Sequence, residues 1–444
     1  MGRMFLWSFT AAMAGLLFGF DTAVISGVDK LIQQQWALTD FQQGVFIMSS
    51  ALWGTVVGAM FGHWPTDHLG RKRALILIGW VFLLSSIGSA LVSSPYAFAF
   101  MRVLGGLAIG ASSIAAPTYI SEIAPSGKRG MLGTIFQLNI GFGILLAFVS
   151  NYLVGSLVHS PNAWRIMLSI NAVPAAIFLG LLLLVPESPR WLLTIKGDRS
   201  LAEKTLALIN PGSDTRQQMA AIEHNVHASH SKAKAGFFST YRFPILLVVV
   251  IAFFNQFSGV NFVVFYAPRI LESAGFGAHS ALLASVSVGL AMFIFTGIGM
   301  ALIDLVGRRT LIIVGTLGYI VSLLLLGYAF LTGEMNIAWM SFYMFLFIAA
   351  HGIGQGAVIW VFMSEIFPDQ YRAKGQAIGT ATHWICAAII TLAMPWALGS
   401  FGGGPVFLFF AAMMVLALLF ALFVMPETKG LSLDQIQRKL IGDK

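Results

Sequence analysis

The chain has 444 residues, of which 57% are hydrophobic and 10% charged, where an ordinary soluble chain has about 25% charged. Such a surface cannot be mostly wet, and lipid must cover much of it. The formal net charge of +8 raises the idea of nucleic acid as a partner, but the placement of the charges, taken up below, excludes it.

A bilayer core of roughly 30 Å is crossed by about 20 apolar residues. Twelve such stretches are predicted in chain order, near 5–27, 44–64, 74–93, 96–117, 131–154, 165–186, 243–268, 281–303, 310–331, 337–362, 374–396 and 404–426. The first follows a short segment with one arginine, Arg3, but it is long, contains Asp21 and lacks a small-residue cleavage site. It reads as a retained helix rather than a signal peptide. The single Cys386 falls inside a span and excludes an intramolecular disulfide framework. With both ends on the cytoplasmic side, twenty-two of the 26 Lys and Arg lie in cytoplasmic loops and tails. Lys30, Arg165 and Arg269 lie outside and Arg102 inside a span, so the charge bias is a topology signal.

The loops repeat. GHWPTDHLGRKR (62–73) after span 2 is echoed by MALIDLVGRR (300–309) after span 8, SEIAPSGKRG (121–130) after span 4 by SEIFPDQYRAKG (364–375) after span 10, and PESPR (186–190) by PETKG (426–430). Asp67 and Asp304, Glu122 and Glu365, and Glu187 and Glu427 are thus 237, 243 and 240 residues apart. Three pairs in one order at nearly one offset predict two six-helix bundles, 1–186 and 243–430, related by an axis along the membrane normal. Between them, 187–242 carries charge, His, Ser and Pro211-Gly212, which predicts a cytoplasmic connector of short surface helices; 431–444 is a short cytoplasmic tail.

The Asp-x-x-Gly-Arg loops, PESPRWL (186–192), NQFSGVNFVVFYAP (255–268) and PETKG together resemble the sugar porter family of the major facilitator superfamily, over essentially the whole chain. The resemblance implies an all-α, twelve-helix membrane protein of the major facilitator fold. It also implies monosaccharide transport by alternating access, with the solute held between the halves near mid-membrane.

Two ionisable groups other than His lie well inside spans, Asp21 in span 1 and Arg102 in span 4. A charge at mid-bilayer costs on the order of 2.5–3.5 kcal/mol on insertion scales, so pairing them is the economical expectation. They either form a fixed salt bridge that orients two helices or carry proton coupling, with Arg102 moving toward or away from Asp21 to switch its protonation. By resemblance, proton symporters have an acid at this position and animal facilitative glucose transporters a neutral residue, which favours a symporter.

Sugar hydroxyls both donate and accept, so their site needs amides and an aromatic platform. The resemblance assigns Gln137 in span 5, Asn255, Gln256 and Asn261 in span 7, and Trp360 in span 10; His383 and Trp384 fall at a span 11 amide position and beside it. Gln137 alone reads equally as an interhelical hydrogen bond, and Trp360 as a core or gate aromatic. His383 could bond a hydroxyl, titrate, or simply satisfy a neighbouring helix; His351 in span 10 reads as a bond to a neighbouring helix. Departures from the family pattern are Asn255 for a longer amide, Met292 for an asparagine, His383 for an amide and Ala357 for a proline, so no particular sugar carries over.

Gly259 after Ser258 in span 7, and Gly352, Gly354 and Gly356 in span 10, are candidate hinges or sites of close helix packing. The repeated loop charges, Asp67, Arg71, Glu122 and Arg129 in one half and Asp304, Arg308, Glu365 and Arg372 in the other, are expected to form a cytoplasmic gate bridging the halves. Glu187 and Arg190 join it, and it stabilises the outward-facing state. Its bland alternative is topology alone.

No phosphate loop, metal-ligand cluster or nucleophile constellation appears, so no enzyme and no cofactor are expected. The partners expected are a monosaccharide, protons and the lipid bilayer, with the chain acting as a monomer in a prokaryotic inner membrane. A facilitative uniporter is the nearest alternative; a transporter-like sensor would need a long signalling tail, and about eighteen residues follow Pro426.

Overall fold

The computed structural model describes residues 2–124, 129–209, 214–230, 237–431, 435–436 and 440. At 2, 3, 129–133, 221, 224–230, 369, 370 and 373 it describes the backbone alone, so the Arg129 side chain, like most of the 431–444 tail, lies outside the described residues. Among the described residues twelve helices are long and apolar enough to cross a membrane: α1 (Met4–Gly27), α2 (Asp40–Phe61), α3 (Arg71–Leu91), α4 (Pro95–Ile123), α5 (Thr134–Leu157), α6 (Ala163–Leu182), α7 (Arg242–Ser273), α8 (Ala278–Val306), α9 (Arg308–Thr332), α10 (Ile337–Glu365), α11 (Lys374–Phe401) and α12 (Gly403–Phe423). Leu77, Trp80, Leu84, Leu324, Leu416 and Phe423 stand exposed on them. Apolar side chains that point away from the core along a helix apolar on every side belong in lipid.

Local chemistry sets the ends. Pro95 opens α4 at its first turn, where a missing N–H costs nothing, and the Asn336 side chain accepts from the Ala338 N–H at the start of α10. Gly333 closes α9 at φ +72°. Two spans are interrupted. α7 consists of Arg242–Gln256 and Val260–Ser273, with Gly259 at φ +86° between them, and α10 passes through a π-helical segment at Gly352–Gly356.

Small residues bring the helices together. A Cβ on Gly15 or Gly19 of α1 would lie 2.4 or 2.0 Å from a backbone oxygen of α5, and one on Gly106 of α4 would lie 1.8 Å from the Ala51 oxygen of α2. In the second half Gly354 of α10 meets Gly315 of α9, and Gly352 meets the α8 backbone at Thr296. Gly352 and Gly354 thus pack closely on neighbouring helices within the π-helical segment of α10.

The halves touch through α2 against α11, where Gly44 faces the Leu392 oxygen, and through α5 against α8, where Gly141 faces the Phe293 backbone. At the face opposite the repeated loops, one apolar core containing Ile47, Phe148, Phe265, Val288, Trp384 and Phe407 runs through both halves. Toward the loops it divides. One core, with Leu17, Phe82, Tyr119 and Phe178, belongs to the first half, and another, with Leu247, Ile303, Phe362 and Met425, belongs to the second. The molecule is thus welded at one face and parted at the other. The connector carries helices Arg199–Ile209 and Thr215–His230 on a small core of Trp191, Leu192, Leu206 and Met219, and the Trp191 indole N–H donates to the Asp67 carbonyl at 2.6 Å, which docks it on the first half.

Candidate functional site

Two charges placed by the sequence inside the membrane meet. Arg102 Nη1 donates to Asp21 Oδ1 at 2.6 Å, and both residues are 2% exposed. Asn171 of α6, not singled out in the sequence, donates its Nδ2 to the same oxygen at 3.1 Å. Asp21 Oδ2 and Arg102 Nε have no hydrogen-bond partner among the described residues. The pair is therefore only partly satisfied within the protein.

A second polar cluster occupies the break in α7. Gln256 Nε2 donates to Asn255 Oδ1 at 2.9 Å and lies 3.1 Å from the ring nitrogens of His383 on α11, and Asn261 Nδ2 donates to Gln256 Oε1 at 2.7 Å. Trp360 of α10 sits against the His383 ring with centroids 5.0 Å apart, and Trp384 stands edge-on to it at 4.8 Å. Breaking α7 after Gln256 is what lets residues 255, 256 and 261 gather, since on a continuous helix they would point around the axis. Asn255 Nδ2 and Trp384 Nε1 are buried donors without partners among the described residues. Gln137 of α5 is half-buried on the other half and joins no hydrogen bond of the cluster. Met292 accepts a 3.8 Å contact from the Thr296 hydroxyl. His351 lies apart from the cluster, bonded through Nδ1 to the Tyr319 hydroxyl of α9.

Phe18, three residues before Asp21 on α1, packs on Trp384 with ring centroids 5.3 Å apart. The charged pair of the first half and the amide cluster of the second are thus joined by one aromatic contact.

The loop charges pair within each repeat. Arg71 pairs with Glu122 through Nε and Nη2 at 2.9 and 3.0 Å and with Asp67 at 3.2 Å; Arg308 pairs with Glu365 at 3.1 and 2.6 Å and with Asp304 at 2.9 Å. Each of these pairs stays inside its own half, at the face where the cores have parted; the bridging network expected above belongs to the outward-facing state and breaks on inward opening. Glu187 and Glu427 instead accept backbone N–H groups, from Lys72 in one half and from Arg308 and Arg309 in the other, each at 3.0 Å. Ser188 and Thr428 complete the copies by donating to Glu122 and Glu365. Arg190 is exposed and forms no ion pair among the described residues, Arg372 is partly buried beside the start of α11, and Arg129 lies outside the described side chains.

Ion pairs that do cross the halves lie at the opposite face. Arg269 of α7 pairs with Asp29 at 3.1 Å and with Asp40 at 3.2 Å, and Lys30 pairs with Glu272 at 2.5 Å. Burial pushes the Asp29 carboxyl above the ordinary aspartate range, with Arg269 opposing it. The sequence signal was present: Lys30 and Arg269 are two of the few cations away from the repeated loops and the connector.

Residues 7–440 match the family described as sugar (and other) transporter. The chain is 34% identical to the arabinose-proton symporter of Bacillus subtilis (strain 168), over 99% of this chain and 95% of that one. It is 32% identical to the D-xylose-proton symporter of Escherichia coli (strain K12), over 98% and 95%. The partially occluded inward-open structure of the xylose transporter XylE from E. coli superposes with a TM-score of 0.87 at 30% identity, covering 97% of this chain and all of that one. The proton:xylose symporter XylE bound to 6-bromo-6-deoxy-D-glucose gives 0.82 at 31%, covering 99% of each. With its twelve spans and this coverage, the chain is an integral membrane protein of the major facilitator fold and belongs to the sugar (and other) transporter family, a family of transporters and not enzymes.

Proposed function

We propose that the chain is a proton-coupled monosaccharide symporter of a bacterial plasma membrane, working by alternating access, with the repeated charged loops and both termini in the cytoplasm. The observation that carries this reading is the buried Asp21–Arg102 pair with Asp21 Oδ2 unpartnered, joined through Phe18 and Trp384 to a cluster of amides, imidazole and indole. Protonation of Asp21 would release Arg102, and sugar hydroxyls would take over the bonds that Gln256, Asn261 and His383 now make among themselves. The parted cores at the loop face make this conformation inward-facing in that topology. The relatives named as xylose and arabinose symporters support pentoses as first candidates.

The test is a panel of labelled pentoses and hexoses in proteoliposomes, with an imposed pH gradient and with an uncoupler. Accumulation that collapses with the uncoupler supports symport. Uptake that only equilibrates, with or without it, would establish a uniporter instead.

A further inference from the structure

The first half-helix pair that the repeat relates is α1 and α7, and their outer ends meet across the seam of the molecule. Asp29 and Arg269 are 240 residues apart, and Lys30 and Glu272 242 apart, both within the range of the repeat offset. Equivalent ends of two repeated helices would ordinarily carry like residues and repel or ignore each other about the pseudo-twofold axis. Here the first carries Asp-Lys where the second carries Arg and Glu three residues on, so each charge faces its opposite.

We propose that this set is a charge lock that closes the outer face, with Arg269 as its key, rather than a chance surface pairing. Asp29 is 2% exposed and the Arg269 side chain 13%, so this contact is sealed by the closure itself. Gln43 of α2 donates to the Asp29 carbonyl at 2.7 Å, and Gln33 donates to Asp40 at 2.8 Å, so the acidic side of the lock is held in place by its own half. The Tyr266 hydroxyl donates to the Thr391 carbonyl at 2.7 Å and fixes the segment of α7 that bears Arg269. Opening the outer face must pull Arg269 from Asp29 and Asp40 and Lys30 from Glu272 together. A buried pair adds little net stability, but removing one partner strands the other charge. The lock therefore permits closure only when both halves present the right charges.

This inference rests on the reading that the halves rock against each other, and the experiment separates the two. Spin labels at Ser160→Cys, in the α5–α6 loop, and Glu334→Cys, in the α9–α10 loop, in a Cys386→Ser background, report the outer separation of the halves in lipid nanodiscs without any transport assay. Arg269→Gln should raise the ratio of open to closed outer faces at least ten-fold. Asp29→Asn combined with Arg269→Gln should return most of that shift, because no charge is then buried alone. Lys30→Gln with Glu272→Gln is an independent variant on the more exposed pair and should give a smaller shift. If the distance responds to sugar but Arg269→Gln leaves it unchanged, or if the double variant is as open as Arg269→Gln, the lock is refuted while alternating access stands. A distance fixed in every variant and with every sugar would overturn both.

Discussion

Asp21 is held by Arg102 and Asn171 through one oxygen while the other has no partner among the described residues. Asp21→Asn should abolish uphill uptake, from an accumulation of about fifty-fold per proton at 100 mV, corresponding to roughly 2.3 kcal/mol, to simple equilibration, while counterflow exchange is spared. Proteoliposome uptake under an imposed gradient measures both, and unimpaired accumulation would remove Asp21 from coupling.

At the scale of elements, the repeated Gly-Arg turn has a plain cause. Gly70 and Gly307 take φ of +94° and +107°, and a Cβ on either would lie 2.5 or 2.6 Å from the carboxylate of Glu187 or Glu427. The glycine lets the next helix begin with its N–H groups pointed at that carboxylate, which also meets the positive end of the helix dipole. Backbone N–H donors at Lys429, Arg308, Thr428 and Arg309 outweigh the burial of Glu427 and hold its carboxyl below the ordinary range. Gly70→Ala or Gly307→Ala should cost at least about 1–2 kcal/mol from the left-handed backbone alone, seen as a lower thermal midpoint in detergent. Gly259→Ala faces both φ +86° and the Phe410 ring at 2.9 Å; transport should fall several-fold in kcat, and an unaffected rate would show that the α7 break tolerates a side chain. These turns and the break were legible in the sequence because each is marked by glycine beside a charged or polar motif. The carboxylate-to-backbone role of Glu187 and Glu427 was not, because a repeated acid next to repeated arginines looks like an ion pair.

For the whole molecule, the loop charges pair inside each half while charges at the opposite face pair across the halves. Arg71 and Glu122, with side chains 10% and 6% exposed, brace the first half internally, so Glu122→Gln, which leaves Arg71 only Asp67 as an ionic partner, should cost about 1.5–3 kcal/mol. Differential scanning of the purified protein should show this loss in the inward-facing state itself, where a gate bridging the halves would show it only in the outward-facing one. The sequence by itself determined the twelve spans, the two halves and the presence of charge at Asp21 and Arg102, because these follow from local hydropathy and from a repeat that survives in short loops. The three-dimensional structure alone decided which charges meet. Asn171 on Asp21, His383 on Gln256 and Arg269 between Asp29 and Asp40 depend on the rotation of each helix about its axis and on the angle between the halves, and neither is written in the composition of any single segment.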